Sequence, residues 1–346
     1  MYDADGHIFE NYGEIYEFLD PPFAGMEPLR RTEFFPAMDD WNRTILAAVG
    51  GYAEGSNTER AEEGAQQQWL AMLDAMQLDG TVLYPTFGMA IGQVRQKDWA
   101  IAVCRAYNAW LNHKYLNSST RIKGMALIPT IDPQAAVAEM RRVADTMPGM
   151  VGFFISAGVA KPLGDAAYWP IYETAQELDM MIAVHAGGPG RRLDMMDKAI
   201  MARCLGHPTS QMIQMTHMMF SGTFDRFPTL RVSFMEAGIA WILFTLERME
   251  EAYDQWAYEV PELKCRPIDH VTGGRIYFHA ELGERLLPVA AQQLGDGQLL
   301  YASDYPHIAP GKVIENFRDF QARDDLSTQT KKRILGENAK RLYKID

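Results

Sequence analysis

The feature that most constrains the fold of this chain is a series of short apolar runs, each bounded by Gly, Pro or Asp. Each run is rich in β-branched and aromatic residues and reads as a continuous apolar segment rather than as a strict alternation. Such runs are typical of parallel strands that are covered on both faces, so each run predicts a strand. The eight predicted strands are Tyr2–Phe9, Gly80–Pro85, Ile122–Pro129, Met150–Ser156, Met180–His185, Leu230–Glu236, Arg275–His279 and Gln298–Asp304.

Helical patterns lie between the predicted strands. The repeated alternation of strand and helix predicts a (β/α)8 barrel, the TIM-barrel fold of the α/β class. A doubly wound open sheet is the competing fold, but it usually carries a glycine-rich phosphate turn after its first strand, and no G-x-G-x-x-G follows Gly6-His7 here. The predicted helices, which have apolar residues at three- and four-residue spacing, are Asp98–His113, Ala135–Thr146, Ala166–Leu178, Pro208–Phe220 and Ile239–Trp256.

The length of the chain is consistent with one decorated barrel. At about 150 residues per domain, 346 residues would suggest two domains, but α/β barrels routinely exceed ~250 residues as one unit. No repeat, low-complexity tract or flexible linker divides the sequence, so we predict one domain over residues 1–346. An insertion at about residues 11–63 and a tail of one or two helices at about residues 310–346 extend the barrel, and loops of this length usually form lids or subunit interfaces.

The charge balance of the chain argues against several classes of partner. The 33 Lys and Arg residues against 45 Asp and Glu residues give a net charge of −12, which repels nucleic acid and anionic membranes. Three scattered cysteines give no disulfide framework, and the first residues carry no signal-peptide pattern, so we expect a cytoplasmic protein. We expect a small-molecule substrate, no nucleic-acid or membrane partner, and assembly as a homo-oligomer, such as a dimer, or with a related subunit.

Ligand-type side chains occur where the predicted strands end. In a barrel of this kind the carboxyl ends of the strands surround one mouth, so residues far apart in sequence converge there. Asp5 and His7 are two positions apart on the first strand, so both side chains face the same side. Imidazoles and carboxylates are the usual ligands of Zn, Mn and Fe, and the pattern therefore predicts a metal site at the mouth. The other such residues at strand ends are His185, Glu236, His279 and Asp304.

Several longer motifs of the chain resemble one protein family. Two of them, G-x-F-x-R-F-P-x-L-R-V and S-D-Y-P-H, are specific patterns that rarely arise by chance. Together the motifs are similar to the amidohydrolase-related family (amidohydrolase 2), metal-dependent TIM barrels that include aminocarboxymuconate semialdehyde decarboxylase and γ-resorcylate decarboxylase. The matching stretches, which follow the family order over nearly the whole chain, are Asp3–His7, Val184–Gly188, Phe220–Trp241, Tyr301–His307 and Ile334–Tyr343.

The resemblance implies roles for four residues. Asp5 and His7 would occupy the metal-ligand pair of the first strand, and His185 would be the metal-binding histidine of the fifth strand. Asp304 would be the aspartate of the eighth strand that binds metal and handles protons. The implied cofactor is a divalent metal ion, with Zn as the first expectation, Mn or Fe as alternatives, and one or two ions per chain.

Glu236 departs from the family pattern. The decarboxylases carry a histidine at the end of the sixth strand as a proton-handling group, whereas this chain has Glu236 in the sequence MEAG. A carboxylate does not donate a proton at neutral pH unless its pKa is raised, but it can bind a second metal ion. We therefore predict that Glu236 is a second-site ligand or a general base.

Further side chains are candidates for the same site. His217, in a helix-like segment before the sixth strand, is either a ligand or acid–base group near that strand or a histidine packed in the core. Arg191 follows the GGPG loop after the fifth strand, where its guanidinium could clamp a carboxylate of the substrate. His307 and His279 are the other candidates for substrate binding, and for His207 we expect a surface role.

The first expectation for the function is a metal-dependent hydrolase. A bound ion lowers the pKa of water from 15.7 to about 7, and Asp304 would pass the proton to the leaving group of an amide, ester, lactone or carboxylated ring. One alternative is a nonoxidative decarboxylase, which the missing strand-six histidine disfavours. Another is a dinuclear Fe or Mn oxygen-dependent hydroxylase, in which His217 and Glu236 would hold the second ion. A supporting subunit of a catalytic paralogue is the non-enzymatic alternative.

Overall fold

The computed structural model of the chain describes residues 1–36, 65–186 and 198–346. Its strands form one eight-stranded parallel sheet in the order β1 to β8, which confirms the predicted (β/α)8 barrel. The insertion predicted at about residues 11–63 lies partly outside the described residues. The strands are β1 (Tyr2–Ile8), β2 (Gly80–Pro85), β3 (Ile122–Leu127), β4 (Met150–Ser156), β5 (Met181–His185), β6 (Val232–Met235), β7 (Ile276–Ala280) and β8 (Leu299–Tyr301).

Backbone hydrogen bonds bring the end of the sheet back to β1 and nearly close the barrel. The Asp304 N–H donates to the Asp5 carbonyl oxygen at 3.1 Å, and the His7 N–H donates to the Tyr305 carbonyl oxygen at 2.7 Å. β8 ends at Tyr301 rather than at Asp304, because the chain turns there and Asp304 adopts a φ of +52° in the left-handed region. This turn places Asp304 beside β1 at the carboxyl end of the barrel.

The helices alternate with the strands, and most lie close to their predicted bounds. The predicted helix Pro208–Phe220 is the exception, since it begins at Ala199 and contains Pro208 in its interior. The tail after β8 contains three α-helices instead of the one or two predicted. Among the helices that the structure describes, none has the length and apolar content to cross a membrane. The helices are α1 (Tyr12–Tyr16), α2 (Ala65–Met76), α3 (Lys97–Lys114), α4 (Pro133–Thr146), α5 (Trp169–Glu177), α6 (Ala199–Phe220), α7 (Thr223–Arg226), α8 (Ala240–Trp256), α9 (Pro267–Thr272), α10 (Leu287–Leu294), α11 (Pro310–Ala322), α12 (Thr328–Lys332) and α13 (Asn338–Tyr343).

The core has two layers, one inside the barrel and one between the sheet and the helices. In the outer layer, Phe278 of β7 stacks on Phe234 of β6 with ring centroids 6.0 Å apart. Both rings contact the edge of Trp241, which is on α8. Because side chains alternate along a strand, His279, the neighbour of Phe278, faces the interior of the barrel.

The C-terminal tail covers the amino end of the barrel. Arg231, which precedes β6, donates to the Leu342 carbonyl oxygen at 3.1 Å. The Tyr343 hydroxyl, at the end of α13, donates to the Ala4 carbonyl oxygen of β1 at 2.7 Å and lies 2.8 Å from the Tyr84 hydroxyl of β2. Ala4, Tyr84 and Tyr343 are buried, so the end of the tail is part of the barrel core.

Candidate metal centre

Asp5 and His7 reach the same side of β1 because they are two positions apart, and the residue between them is Gly6. A Cβ atom on Gly6 would lie 2.2 Å from the ring of Trp69, so only glycine allows α2 to pack this closely on β1. The Trp69 indole N–H donates to the His7 carbonyl oxygen at 3.1 Å. The contact fixes the part of the strand that carries both side chains, and both are fully buried.

Backbone carbonyl groups fix the orientation of His7 and His185. The His7 Nδ1–H donates to the Pro85 carbonyl oxygen at 3.0 Å, and the His185 Nδ1–H donates to the Ala186 carbonyl oxygen at 2.8 Å. A carbonyl oxygen only accepts, so each neutral ring carries its proton on Nδ1 and a lone pair on Nε2. Metal-binding histidines are commonly held in this way.

The two Nε2 atoms meet two carboxylates inside the barrel. The oxygens of Asp5 lie 3.4 Å from His7 Nε2 and 3.3 Å from His185 Nε2, and Asp304 Oδ1 lies 3.6 Å from His7 Nε2. Ligand atoms around a tetrahedral ion with bonds of about 2.1 Å lie roughly 3.4 Å apart. Within the described residues, the two Nε2 atoms and Asp5 Oδ1 are buried and have no hydrogen-bond partner. These donors therefore fit a divalent metal ion.

The charges around this group favour a cation. Burial lowers the pKa of His7, and the nearby His307 and His185 lower it further. Burial also lowers the pKa of His185, but the charges of Asp5 and Glu236 outweigh this effect and raise the pKa to about 9. The carboxylates that favour a proton on His185 favour a divalent ion in the same place, so metal binding competes with that proton.

A chain of hydrogen bonds connects Asp304 to the loop after β2. The His307 Nδ1–H donates to Asp304 Oδ1 at 2.9 Å, and His307 Nε2 lies 2.8 Å from the Thr86 hydroxyl. The His307 ring also stacks on His7, with ring centroids 4.0 Å apart. Since the Thr86 hydroxyl can donate or accept, Nε2 of His307 stays bonded with or without a proton.

Glu10 anchors the loop that carries Thr86. Its carboxylate accepts the backbone N–H groups of Thr86 at 3.2 Å, Phe87 at 2.9 Å and Gly88 at 2.8 Å. Burial raises the pKa of Glu10 to about 7, although these hydrogen bonds act in the opposite direction. The carboxylate therefore ties the short 3-10 helix Phe87–Gln93 to the end of β1.

Glu236 lies on the other edge of the His185 ring. It follows β6 in the left-handed region, with a φ of +60°. One carboxylate oxygen is 3.4 Å from His185 Nδ1 and the other is 4.0 Å from His207 Nδ1. The Glu236 N–H donates to His279 Nδ1 at 3.0 Å. His185 Nε2 faces Asp5, whereas Glu236 lies beside Nδ1, so the Glu236 carboxylate is separate from the donors around Nε2. The roles of Glu236 as a second-site ligand or general base stay predictions.

The structure does not bring every candidate residue to this group. His217 is exposed in the last turn of α6, which runs from the carboxyl end of β5 back to the amino end of β6. This position corrects the prediction that His217 is a ligand or acid–base group. Arg191 lies outside the described residues. The substrate-binding roles of His307 and His279 stay predictions: His307 bonds to Asp304, and His279 bonds to the Glu236 N–H.

His207, for which a surface role was predicted, is half-buried beside Glu236. His207 is one helical turn before Gln211 on α6. The Gln211 side-chain amide donates to the Val184 carbonyl oxygen at 3.0 Å and to the Met235 carbonyl oxygen at 2.7 Å, which ties this face of α6 to β5 and β6. The four-residue spacing of His207 and Gln211, which places both side chains on one face of a helix, is the sequence signal that could have indicated this position.

The fold and the site together describe a (β/α)8 TIM barrel with imidazole and carboxylate groups gathered at the carboxyl ends of its strands. The sequence pattern of the amidohydrolase family matches residues 2–345. The chain therefore belongs to the amidohydrolase family, and the resemblance inferred from its motifs is confirmed.

Two curated proteins illustrate the relationship. The chain is 25% identical over 236 residues to 2-amino-3-carboxymuconate-6-semialdehyde decarboxylase of Dictyostelium discoideum, a match that covers 65% of this chain and 62% of that protein. It is 23% identical over 272 residues to γ-resorcylate decarboxylase of Polaromonas sp. (strain JS666), covering 74% of this chain and 81% of that protein. The first match thus spans less than two thirds of the relative.

Solved structures show the same fold. An amidohydrolase from Mycobacterium avium subsp. paratuberculosis K-10 superposes with a TM-score of 0.77 at 18% identity, covering 99% of this chain and 98% of the other. A dihydroxybenzoic acid decarboxylase from Polaromonas sp. JS666, solved with bound manganese and the inhibitor 2-nitroresorcinol, superposes with a TM-score of 0.71 at 18% identity, covering 99% and 96%. At this identity the comparison establishes the barrel and not the reaction.

Proposed function

We propose that this protein is a metal-dependent nonoxidative decarboxylase that acts on an aromatic or conjugated carboxylate. The observation that carries the proposal is the buried donor group of Asp5, His7, His185 and Asp304 in a chain whose two curated relatives described above are both named decarboxylases. The dihydroxybenzoic acid decarboxylase structure contains manganese, which supports the proposal that this protein also binds a divalent ion. Mn therefore joins Zn as a leading candidate for that ion. The decarboxylase alternative therefore takes the place of the hydrolase as the first expectation.

The residues of the site suit this reaction. His7 and His185 would hold the ion through Nε2, and Asp5 and Asp304 would hold it through carboxylate oxygens. When bound, a divalent ion supplies positive charge that holds the substrate's oxygens. As the bond to the carboxyl group breaks, the electron pair stays on the ring or chain carbon, which must receive a proton. Asp304 and His307, joined by the 2.9 Å hydrogen bond, are the groups that we assign to hold this proton.

A hydrolase is the second candidate function. The observation that favours it is Glu236, a carboxylate that lies 3.4 Å from His185 Nδ1 and 4.0 Å from His207 Nδ1. A carboxylate in this position can act as a general base toward a water molecule. The hydroxylase alternative required His217 beside Glu236, and it loses this support because His217 is exposed at the end of α6.

The test is the release of CO2 from the two substrates named by the relatives, γ-resorcylate and 2-amino-3-carboxymuconate 6-semialdehyde. The protein is stripped with a chelator and reloaded with Mn²⁺ or Zn²⁺, and we expect CO2 release only after reloading. Cleavage of an ester or lactone panel without CO2 release from any carboxylate would instead support the hydrolase.

Asp304→Asn is the diagnostic variant for the assigned proton-holding group. We expect kcat to fall by about 10²- to 10⁴-fold, because an amide cannot transfer the proton. Urea unfolding should show a folded protein, and Asp319→Asn, which changes an exposed aspartate, should be as active as the wild type. Full activity in Asp304→Asn would remove Asp304 from the mechanism.

A further inference from the structure

His279 is a buried imidazole that the metal group does not use. It lies near the end of β7 and is 1% exposed. Its neighbour Phe278 packs outward on Trp241, so His279 faces the interior of the barrel. Glu236 connects it to the metal group, because the Glu236 N–H lies 3.0 Å from His279 Nδ1 and the Glu236 carboxylate lies 3.4 Å from His185 Nδ1.

One hydrogen bond fixes which nitrogen of the neutral His279 ring carries the proton. The Glu236 N–H donates to His279 Nδ1 at 3.0 Å, and a backbone N–H can only donate. Nδ1 therefore uses its lone pair, and the proton is on Nε2. In the part of the chain that the structure describes, this Nε2 is buried and has no hydrogen-bond partner.

The neutral His279 ring thus carries its proton on the opposite nitrogen from the neutral rings of His7 and His185. In those two rings Nδ1 donates to a carbonyl oxygen, so Nε2 offers a lone pair to a cation. In His279 the Nε2 offers a proton, which cannot bind a cation but can bind an anion. Buried N–H groups are nearly always paired in proteins, so an unpaired one in a ligand site indicates that the ligand supplies the acceptor.

We propose that the Nε2–H of His279 binds an anionic oxygen of the substrate, a carboxylate or phenolate oxygen, next to the metal group. The choice of a carboxylate-bearing substrate rests on the proposed function, but the proton position on His279 does not. The interior of the barrel then contains both halves of a site for an anionic substrate. Nε2 lone pairs of two histidines hold the cation, and the Nε2–H of a third histidine binds the substrate oxygen.

The first experiment locates the protons. Zn²⁺-loaded protein is labelled with ¹⁵N-histidine, and NMR spectra distinguish protonated, unprotonated and metal-bound ring nitrogens. The signals of His279 are those lost in His279→Asn. We expect a proton on Nε2 and none on Nδ1 for His279, and metal-bound Nε2 with protonated Nδ1 for His7 and His185. A proton on Nδ1 of His279, or zinc on its Nε2, would overturn the proposal.

The second experiment measures binding of benzoate as an anionic probe and benzamide as its neutral counterpart to the Zn²⁺-loaded protein by calorimetry. His279→Asn keeps an acceptor near Nδ1 but removes the Nε2–H, so we expect benzoate to bind about tenfold or more weakly. His279→Gln, which places an amide N–H near Nε2, should retain part of this affinity. Benzamide binding should change little in either variant.

Controls separate this role from metal binding and from folding. Both His279 variants should hold as much zinc as the wild type, whereas His185→Asn should lose it. His113→Asn, which changes an exposed histidine on α3, should bind benzoate as the wild type does. Equal benzoate affinity in the wild type and His279→Asn, no benzoate binding by the wild type, or loss of zinc from His279→Asn would each overturn the proposal. None of these measurements uses CO2 release, so failure of the proposed function gives a different result.

Discussion

Thr86 is the outermost member of the hydrogen-bond chain that reaches Asp304, and it can be changed without altering a candidate ligand. Thr86→Val keeps the shape of the side chain but removes the hydroxyl that lies 2.8 Å from His307 Nε2. We expect kcat for CO2 release to fall about fivefold, since one hydrogen bond contributes about 1 kcal/mol. Steady-state kinetics gives kcat, and elemental analysis should show that the bound metal is unchanged.

Thr86→Ser is the matched variant, because it retains the hydroxyl and should retain most of the activity. Equal activity of Thr86→Val and Thr86→Ser would mean that the bond does not orient His307. In that case the stacking on His7, with ring centroids 4.0 Å apart, would be enough to hold the ring.

Residues on β-strands were predictable as site residues, whereas residues on helices were not. Asp5 and His7 are two positions apart on one strand, and this spacing alone predicts that both side chains share a face. The roles of individual ring nitrogens were not predictable, because they depend on backbone groups of other strands, such as the Pro85 carbonyl oxygen beside His7. The positions of His207 and His217 depend on where α6 begins and on which of its faces packs on the barrel. Apolar spacing alone defined neither of these.

At the scale of secondary-structure elements, the loop after β2 depends on a single buried carboxylate. Burial raises the pKa of Glu10 from 4.5 to about 7, so the folded protein holds this proton more tightly than the unfolded chain. The free energy of unfolding therefore decreases as the pH rises from about 4.5 to about 7, by about 3 kcal/mol from this group. Above about pH 7 the contribution of Glu10 no longer changes.

Glu10→Gln tests this assignment, because it removes the titrating group. Urea unfolding across this pH range should show a weaker decrease in stability for Glu10→Gln than for the wild type. Glu173→Gln, which changes an exposed glutamate on α5, should follow the wild-type curve. Parallel pH curves for the wild type and Glu10→Gln would show that Glu10 does not titrate in this range.

A comparison of predicted and observed bounds shows which strands and helices the local sequence pattern alone defines. Gly80–Pro85 and Met150–Ser156 were predicted with their observed bounds, because both are short, mostly apolar runs next to Gly, Pro or Asp. Two other predictions had wrong bounds for physical reasons. Apolar spacing predicted a helix that begins at Pro208, yet Pro208 lies inside α6, which begins at Ala199. β8 is shorter than predicted because Asp304 bonds to the backbone of β1 instead of continuing the strand.

At the scale of the whole molecule, Tyr343 joins the end of the chain to its beginning. Tyr343→Phe would leave the buried Ala4 carbonyl oxygen without the donor that now lies 2.7 Å away. We expect the free energy of unfolding to fall by about 1–3 kcal/mol, measured by urea unfolding. Tyr258→Phe is the control, since Tyr258 is 75% exposed and should tolerate the change. An unchanged unfolding midpoint in Tyr343→Phe would show that the hydroxyl does not stabilise the barrel.

The barrel as a whole was predictable because its eight apolar runs and their spacing leave few arrangements. The contact between Tyr343 and Ala4 was not predictable, since no local pattern encodes a pair that lies 339 positions apart in sequence.

That separation also matters while the protein is being made. At about 5–20 residues per second, a ribosome needs roughly 20 to 70 s to pass from Ala4 to Tyr343. During this time β1 has been synthesised but its partner groups after β8 and in α13 have not, so one edge of the strand has no neighbour in the sheet. The nascent chain therefore carries β1 with one edge unpaired until late in translation.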